Sequence, residues 1–167
     1  AEAQYLHGDL IDQRNAFQWY LLAAEQGHAK AQYRVALTLD YPEALPWYRL
    51  AAEQDLPEAQ YNLAVMYELG QGLMADQGVA NSWYLRAAEA GFELAQYRLG
   101  VNYGEGRGFD RDIVIAHAWY SLVTEYGDLL NEDAEMRKRA LKLSPKQVEQ
   151  SRLAYEDFRL SMLSNNI

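Results

Sequence analysis

Apolar residues recur along most of this chain at the three- and four-residue spacing of an α-helix. The clearest stretch is 58–69, in which Ala59, Leu63 and Met66 fall on one side. It runs into Gly-x-Gly at 70–72, where a glycine can take the left-handed conformation that ends a helix. The pattern predicts an all-α protein built from short helices joined by tight turns.

Three short motifs recur in a fixed order. Ala-Gln-Tyr lies at 3–5, 31–33, 59–61 and 95–97, Trp-Tyr at 19–20, 47–48, 83–84 and 119–120, and Ala-Ala-Glu at 23–25, 51–53 and 87–89. We call the helix with Ala-Gln-Tyr helix A and the helix with Trp-Tyr helix B. From each Trp to the next Gln the step is always 13 residues, but from Tyr to Tyr within a repeat it is 15 residues twice and 23 twice. The additional residues therefore lie in the loop within a repeat, since stacking fixes the linker between repeats.

The loops and helix ends follow from this alignment. Repeats three and four have Gly-x-Gly loops at 70–72 and 106–108, whereas repeats one and two are expected to turn directly, through Asp9–Arg14 and Asp40–Pro42. We expect Pro46 in the first turn of its helix B, where proline is tolerated. Helix B is expected to close at Gly27, Gly91 and Gly127. Close helix crossings are expected at one equivalent position, occupied by Gly8, Ala36, Ala64 and Gly100.

The pattern changes after the fourth repeat. Residues 131–142 read as one more helix, and Ser-Pro-Lys-Gln at 144–147 is a capping box that opens a final helix to about Leu163. A solenoid needs terminal helices to cover its last hydrophobic face. We therefore expect four repeats, at about 1–28, 29–56, 57–92 and 93–128, followed by C-terminal capping helices at 129–167.

The order of Ala-Gln-Tyr, Gly-x-Gly, Trp-Tyr and Ala-Ala-Glu resembles the Sel1-like repeat family, relatives of the tetratricopeptide repeats. The resemblance covers about residues 1–128, and the Leu-Ser-Pro-Lys-Gln segment is similar to the closing helix of bacterial repeats of this kind. Repeats one and two depart from the family pattern, with 28 residues instead of 36 and no Gly-x-Gly. The resemblance implies a right-handed α-solenoid, or superhelix, of antiparallel helix pairs.

The resemblance also implies a function. It indicates a bacterial scaffold or adaptor that binds a peptide or partner protein on its concave face, and not an enzyme. Two alternatives stay open: an accessory factor of cell-envelope or cell-wall processing, and a self-assembling structural repeat protein. A periplasmic or secreted location is favoured over a cytoplasmic one. Because the chain begins at Ala1 inside a helical pattern, we expect a processed or trimmed form, with any signal peptide or additional repeat outside it.

Composition narrows the function classes. The net charge is −9, with 18 acidic and 8 basic residues in 1–128 against 6 and 7 in 129–167. Such a charge argues against binding to nucleic acid or anionic membranes, and no 18-residue apolar run suggests membrane insertion. The absence of cysteine removes disulfides, thiolate nucleophiles and cysteine zinc sites. The expected partner is therefore a protein or peptide, with self-association possible.

Catalytic, metal and cofactor sites lack a convincing candidate. His7, His28 and His117 are scattered over different parts of different repeats. The glycine-rich segment 104–108 follows a helix, whereas a phosphate loop follows a strand, so it is expected to be a turn. Asp110 and Asp112 lack the spaced acidic series of a calcium loop, and a carboxylate at 112 suits the start of helix B. We therefore expect no catalytic residue, no metal and no cofactor.

The Trp-Tyr pairs admit two interpretations. They could stack bases or sugars, but their fixed place in every repeat favours core packing, since each copy meets the same neighbours. Binding is better sought where the repeats differ. If helix A lines the concave face, steps of four residues along it select positions for partner contacts. The predicted partner-binding residues are Lys30, Arg34, Thr38, Glu58, Asn62, Met66, Arg98 and Asn102, with Leu94 at the equivalent of Glu58.

Overall fold

The computed structural model describes residues 1–10 and 13–164, with side chains described for 1–6 and 16–164. The described residues form ten α-helices and no strand: α1 Glu2–Leu10, α2 Gln13–Glu25, α3 Ala29–Ala36, α4 Tyr41–Glu53, α5 Pro57–Leu69, α6 Gln77–Glu89, α7 Glu93–Glu105, α8 Ile113–Tyr126, α9 Asn131–Ala140 and α10 Pro145–Ser164. They divide into two compact units, Ala1–Asp76 (unit 1) and Gln77–Ile167 (unit 2). Helix A of the four repeats is α1, α3, α5 and α7, and helix B is α2, α4, α6 and α8.

Unit 1 is a run of helices that each pack on the next, from α1 to α5. Its core is made largely of alanines that the repeat motifs supply: Ala23 and Ala24 from helix B pack with Ala31 and Val35 from the following helix A. Small side chains at these positions let the helix backbones approach closely. Larger groups, among them Tyr5, Tyr20 and Trp47, surround this cluster.

Unit 2 adds the C-terminal helices to the same arrangement. Helix α7 packs between α6 and α8, and both α9 and α10 pack on α8. The core of this unit includes Val101, Tyr120, Val123 and Ala134, so α9 shares the hydrophobic core of the last repeat. Gly100 lies against the ring of Tyr120, and a Cβ on Gly100 would stand only 2.5 Å from this ring. This confirms the close helix crossing predicted at that position.

The glutamine of Ala-Gln-Tyr links consecutive repeats. Gln32, Gln60 and Gln96 are almost fully buried, and the side-chain amide of each donates a 3.2 Å hydrogen bond to a helix-B carbonyl eight residues earlier. The acceptors are Ala24, Ala52 and Ala88. Each of these carbonyls also accepts a backbone N–H from the turn that follows the helix, from Gly27, Asp55 or Gly91, so the glutamine adds a second donor and ties the next helix A to this turn. The fixed 13-residue step from Trp to Gln therefore has a structural cause.

The turn after helix B uses a left-handed residue. Gly27 and Gly91 have φ of 87° and 85°, and the equivalent Asp55 has 59°. The predicted helix ends at Gly27 and Gly91 are confirmed. Helix α8 also ends just before Gly127, but this glycine has a φ of −89°, so the chain leaves the fourth repeat by a different turn.

The second glycine of each Gly-x-Gly loop meets the start of the preceding helix B. A Cβ on Gly72 would stand 3.0 Å from the Tyr41 carbonyl group, and one on Gly108 would stand 2.6 Å from Gln77. Both glycines also have positive φ, 76° and 68°. Position and conformation thus both require glycine, and the predicted turns at these loops are confirmed.

Repeat two departs from the expected turn. Helix α3 already ends at Ala36, and α4 begins at Tyr41, so Tyr41 and Pro42 lie in the helix and the turn spans 37–40. Pro46 is the sixth residue of α4, not a first-turn residue, so that prediction was wrong, although the helix continues through it. The turn expected at Asp9–Arg14 is shorter than predicted, because Asp9 and Leu10 belong to α1 and Gln13 and Arg14 to α2; residues 11–12 lie outside those described. The close helix crossing expected at Gly8 also lies outside the residues whose packing is described.

The C-terminal helices begin as predicted. Ser144 and Gln147 form the expected capping box, in which the Ser144 N–H donates to Gln147 Oε1 at 3.0 Å and the Gln147 N–H donates back to Ser144 Oγ at 3.4 Å. Helix α9 ends at Ala140, two residues before the predicted Lys142, which takes a left-handed φ of 49°. Within the described part of the chain, no helix combines the length and apolar content that a membrane crossing needs.

Candidate protein-interaction face

The predicted contact residues of unit 1 lie on two consecutive A helices. Lys30 and Arg34 are exposed on α3, and Glu58 and Asn62 are partly exposed on α5. We call these four residues the helix-A face. It combines two cationic side chains with a carboxylate and an amide, so it offers both donors and acceptors of hydrogen bonds.

Tyr33 joins the two helices beneath this face. Asn62 Nδ2 donates to the Tyr33 hydroxyl at 3.4 Å and to the Glu58 carbonyl at 2.9 Å. Burial raises the pKa of Tyr33, and the Glu58 carboxylate adds to the rise, while Asn62 and Arg34 oppose it. The phenol therefore stays protonated at neutral pH, and Asn62 is held with its amide oxygen available as an acceptor.

Glu58 has an unusual environment for a carboxylate. Its Oε2 atom is buried and makes no hydrogen bond. A buried acceptor without a donor costs roughly 1–3 kcal/mol. The residue as a whole is partly exposed, so this carboxylate lies at the edge of the accessible part of the helix-A face.

In unit 2, α9 already occupies the corresponding surface. The Tyr97 hydroxyl donates to the Asp133 carboxylate of α9, and the Arg137 guanidinium lies 5.6 Å from the centre of the Tyr97 ring. Arg137 also pairs with Asp133 at 3.1 Å and with Glu105 of α7 at 3.7 Å. Arg98 is partly buried on α7. The face of this unit is therefore partly covered by the chain itself.

Three predicted contact residues are not on an accessible helix face. Met66 and Asn102 are 2% and 0% exposed, which contradicts their prediction as partner contacts. Each four-residue step turns the helix by about 40° beyond a full turn, so two steps carry these positions round to the core. Thr38 lies beyond the end of α3, where its hydroxyl donates to the Val35 carbonyl at 2.8 Å.

The Trp-Tyr pairs serve mainly as core. Tyr48, Tyr84 and Tyr120 are 6%, 0% and 2% exposed, which confirms the packing interpretation for the tyrosines. The tryptophans differ among repeats. Trp83 is partly exposed and carries the Arg86 guanidinium 4.6 Å from its ring, whereas Trp119 is buried under Phe158 of α10, with ring centres 4.2 Å apart.

The histidines and aspartates take structural positions. His28 caps α3 by accepting the Ala31 N–H at 3.2 Å, and His117 lies 2.8 Å from the Ser151 hydroxyl of α10. Asp112 caps α8 by accepting two backbone N–H groups, as its expected place at the start of helix B indicated. The side chain of His7 lies outside those described. Among the described residues, no three His, Asp or Glu side chains form a group that could hold a metal ion.

Sequence reasoning missed a buried polar network in unit 2. Asn102 Nδ2 donates to Asn81 Oδ1 at 2.7 Å, and Asn81 Nδ2 donates to the Arg107 carbonyl at 2.8 Å. This network fastens the Gly-x-Gly loop of repeat four to α6. The only signal in the sequence was that asparagine stands where the preceding repeats have Leu45 and Met66.

Comparison with known proteins identifies the repeats. The Sel1 repeat family model matches residues 1–28, 29–56, 57–92 and 94–122. A solved protective antigen present in uropathogenic Escherichia coli strains, which displays an SLR fold, is 29% identical with a TM-score of 0.86; the alignment covers 96% of this chain and 38% of that one. A solved Sel1 repeat protein from Oxalobacter formigenes is 30% identical with a TM-score of 0.77, over 98% of this chain and 70% of that one.

A search of curated proteins yields no match. The chain spans about two fifths of the antigen, so this comparison concerns only part of that protein. Both solved relatives confirm the predicted α-solenoid, and Sel1 repeats generally mediate protein–protein interaction as non-catalytic scaffolds. The chain therefore belongs to the Sel1 repeat family.

Proposed function

We propose that this protein is an adaptor that holds an extended segment of a partner protein on the helix-A face of unit 1. The observation that supports this most is the Glu58 carboxylate, whose buried oxygen lacks a donor beside the partly exposed Asn62. An extended peptide supplies backbone N–H and carbonyl groups alternately along its length. The helix-A face offers matching acceptors and donors within two neighbouring helices.

Each residue of the face has a distinct role in this proposal. Glu58 and the Asn62 amide oxygen accept backbone N–H groups of the partner. The guanidinium of Arg34 donates to a carbonyl or carboxylate of the partner, since its planar donors suit bidentate contacts. Lys30, one turn before Arg34, adds a second cation. The family supports protein binding in general, whereas the choice of this face is our inference from the geometry.

The test uses a phage-displayed library of random peptides selected on the immobilised full chain. Peptides enriched by the wild type are then measured against Arg34→Ala and against Asn62→Leu. We expect each variant to bind about tenfold more weakly, because a charge-assisted contact or a central hydrogen bond is lost.

Arg49→Ala provides the matched control, since Arg49 is an exposed arginine on helix B of the same unit. It should leave peptide affinity unchanged. Arg34→Ala and Arg49→Ala should keep wild-type helicity and melting behaviour. Asn62→Leu also loses the bond to the Tyr33 hydroxyl, so its binding is measured well below its own melting temperature. If the selected peptides bind Arg34→Ala and Asn62→Leu as strongly as the wild type, the helix-A face is not the binding surface.

A further inference from the structure

A second surface of unit 1 is apolar and lies at the Gly-x-Gly loop of repeat three. Tyr41, Leu69 and Met74 are 50%, 61% and 89% exposed. We call these three residues the loop patch. Large apolar side chains so exposed are costly to keep in water, and when they cluster they mark interaction sites.

The loop geometry places the backbones of the three residues near one another. The Asp76 N–H donates to the Tyr67 carbonyl at 2.9 Å, and a Cβ on Gly70 would stand 3.3 Å from Ala75 Cβ. Leu69 directly precedes Gly70, and Met74 directly precedes Ala75, so the contact between Gly70 and Ala75 also brings the backbones of Leu69 and Met74 close together. Gly72, at the centre of the loop, lies on the backbone of Tyr41.

Repeat four shows that the fold does not require an apolar surface at these positions. Its loop has the same left-handed glycines, but Glu105 and Asp110 stand at the positions of Leu69 and Met74. The apolar contact that the loop does need is made by Phe109, which stacks on Tyr103 with ring centres 4.0 Å apart. The loop patch is therefore a departure of repeat three that the turn itself does not explain.

The charge around the loop patch indicates the kind of partner. Four acidic residues, Asp40, Glu43, Glu68 and Asp76, lie within two positions of the patch residues in the sequence, and no lysine or arginine does. Asp40 directly precedes Tyr41, and Glu43 follows it by two residues; both are exposed. An apolar patch with an acidic rim complements a segment that presents aliphatic side chains flanked by lysine or arginine.

We propose that the loop patch docks a basic amphipathic segment of a partner protein, with aliphatic anchors on Leu69, Met74 and Tyr41 and its cations facing Asp40 and Glu43. This surface is distinct from the helix-A face and does not depend on it. The salt dependence of binding comes from the acidic rim, whereas the affinity at high salt comes from the apolar contacts.

The experiment uses three fluorescent peptides of equal length and the full chain. The first is an amphipathic helix of leucine and lysine, the second has the same residues scrambled so that leucine forms no face, and the third replaces lysine with glutamate. The variant is Leu69→Glu combined with Met74→Asp, which installs the residue types of repeat four. Leu22→Glu, at an exposed leucine of α2, is the control.

We expect the wild type and Leu22→Glu to bind the first peptide at least about tenfold more tightly than the other two, and the double variant to lose about tenfold. The double variant is more acidic, so binding by charge alone would grow stronger instead. The proposal is overturned if the double variant binds the first peptide as well as the wild type, or if the scrambled peptide binds equally. It is also overturned if sedimentation shows that the wild type self-associates through these residues.

Discussion

Replacing Asn81 with leucine should destabilise unit 2 through the loss of its hydrogen bonds. The two side chains are similar in size, so the change in packing contributes little. Asn81 accepts from Asn102 at 2.7 Å and donates to the Arg107 carbonyl at 2.8 Å, and Asn102 is 0% exposed. Asn81→Leu removes the acceptor of the Asn102 amide and of Gln77 Nε2, and it removes the donor to the Arg107 carbonyl. The bond to Asn102 is fully buried and its loss costs roughly 1–3 kcal/mol, whereas the other two bonds are only partly buried and together add about 1 kcal/mol, so the expected loss is about 2–4 kcal/mol.

Replacing Asn102, the other asparagine of the network, should cost less stability. After Asn102→Met, Asn81 Oδ1 still accepts from Gln77 Nε2 at 3.2 Å. The substitution also removes Asn102 Oδ1, which is buried without a donor. We therefore expect Asn102→Met to cost about 1 kcal/mol or less. The double variant, with the residue types of Leu45 and Met66 in the preceding repeats, should recover about 1–2 kcal/mol relative to the sum of the two single changes.

The assay is urea and thermal denaturation of the full chain, followed by circular dichroism. Because 1 kcal/mol shifts the melting temperature of a chain of this length by about 2–4 °C, Asn81→Leu should lower it by roughly 4–16 °C. Ser82→Ala, at the exposed neighbouring position, should change stability by less than about 0.5 kcal/mol. Strictly additive single and double variants, or an Asn81→Leu variant as stable as Ser82→Ala, would refute the claim that this network fastens the loop.

Two further predictions concern glycine and histidine. Gly91→Ala should cost about 1–2 kcal/mol of stability from its φ of 85° alone, since nothing lies within 4 Å of the added Cβ. Gly72→Ala should cost about 1–3 kcal/mol more, because the Tyr41 backbone lies 3.0 Å from the added Cβ. Equal losses of stability in urea denaturation would contradict this. Burial lowers the pKa of His117, as does Lys138, while Glu135 of the same α9 raises it. The unfolded chain then binds the proton more readily, so stability is fully present above the ordinary histidine pKa of about 6.5 and falls as the pH drops from there towards the lower pKa of folded His117, by at most about 1.4 kcal/mol per pH unit. His117→Gln should remove this part of the pH dependence in parallel denaturation series, and a constant difference from the wild type would show that His117 does not titrate in this way.

The sequence determined most features that depend on local or repeated chemistry, although it misplaced the turn of repeat two and the position of Pro46 in its helix. Ala-Gln-Tyr and Trp-Tyr predicted the paired helices, because the same side chains meet the same neighbours in every repeat. The capping box at Ser144 and the left-handed glycines at 70–72 were readable because each acts within a few residues. For the helix-A face, the sequence selected Lys30, Arg34, Glu58 and Asn62 on accessible or partly accessible positions, although it could not test whether they bind.

The tertiary structure decided which side of each helix is covered. Met66 and Asn102 were predicted as partner contacts but are buried. Helical spacing shows which residues share a side of a helix, but it does not show where the neighbouring helix lies. The hydrogen bonds from Tyr97 to Asp133 and from Asn102 to Asn81 join residues far apart in the sequence, so no periodic pattern predicts them. The exposure of Met74 also depends on the tertiary structure, because the loop that carries Met74 packs through Gly72 on the backbone of Tyr41. Repetition thus specified the scaffold, while the packing of particular neighbours determined which of its surfaces are left for a partner.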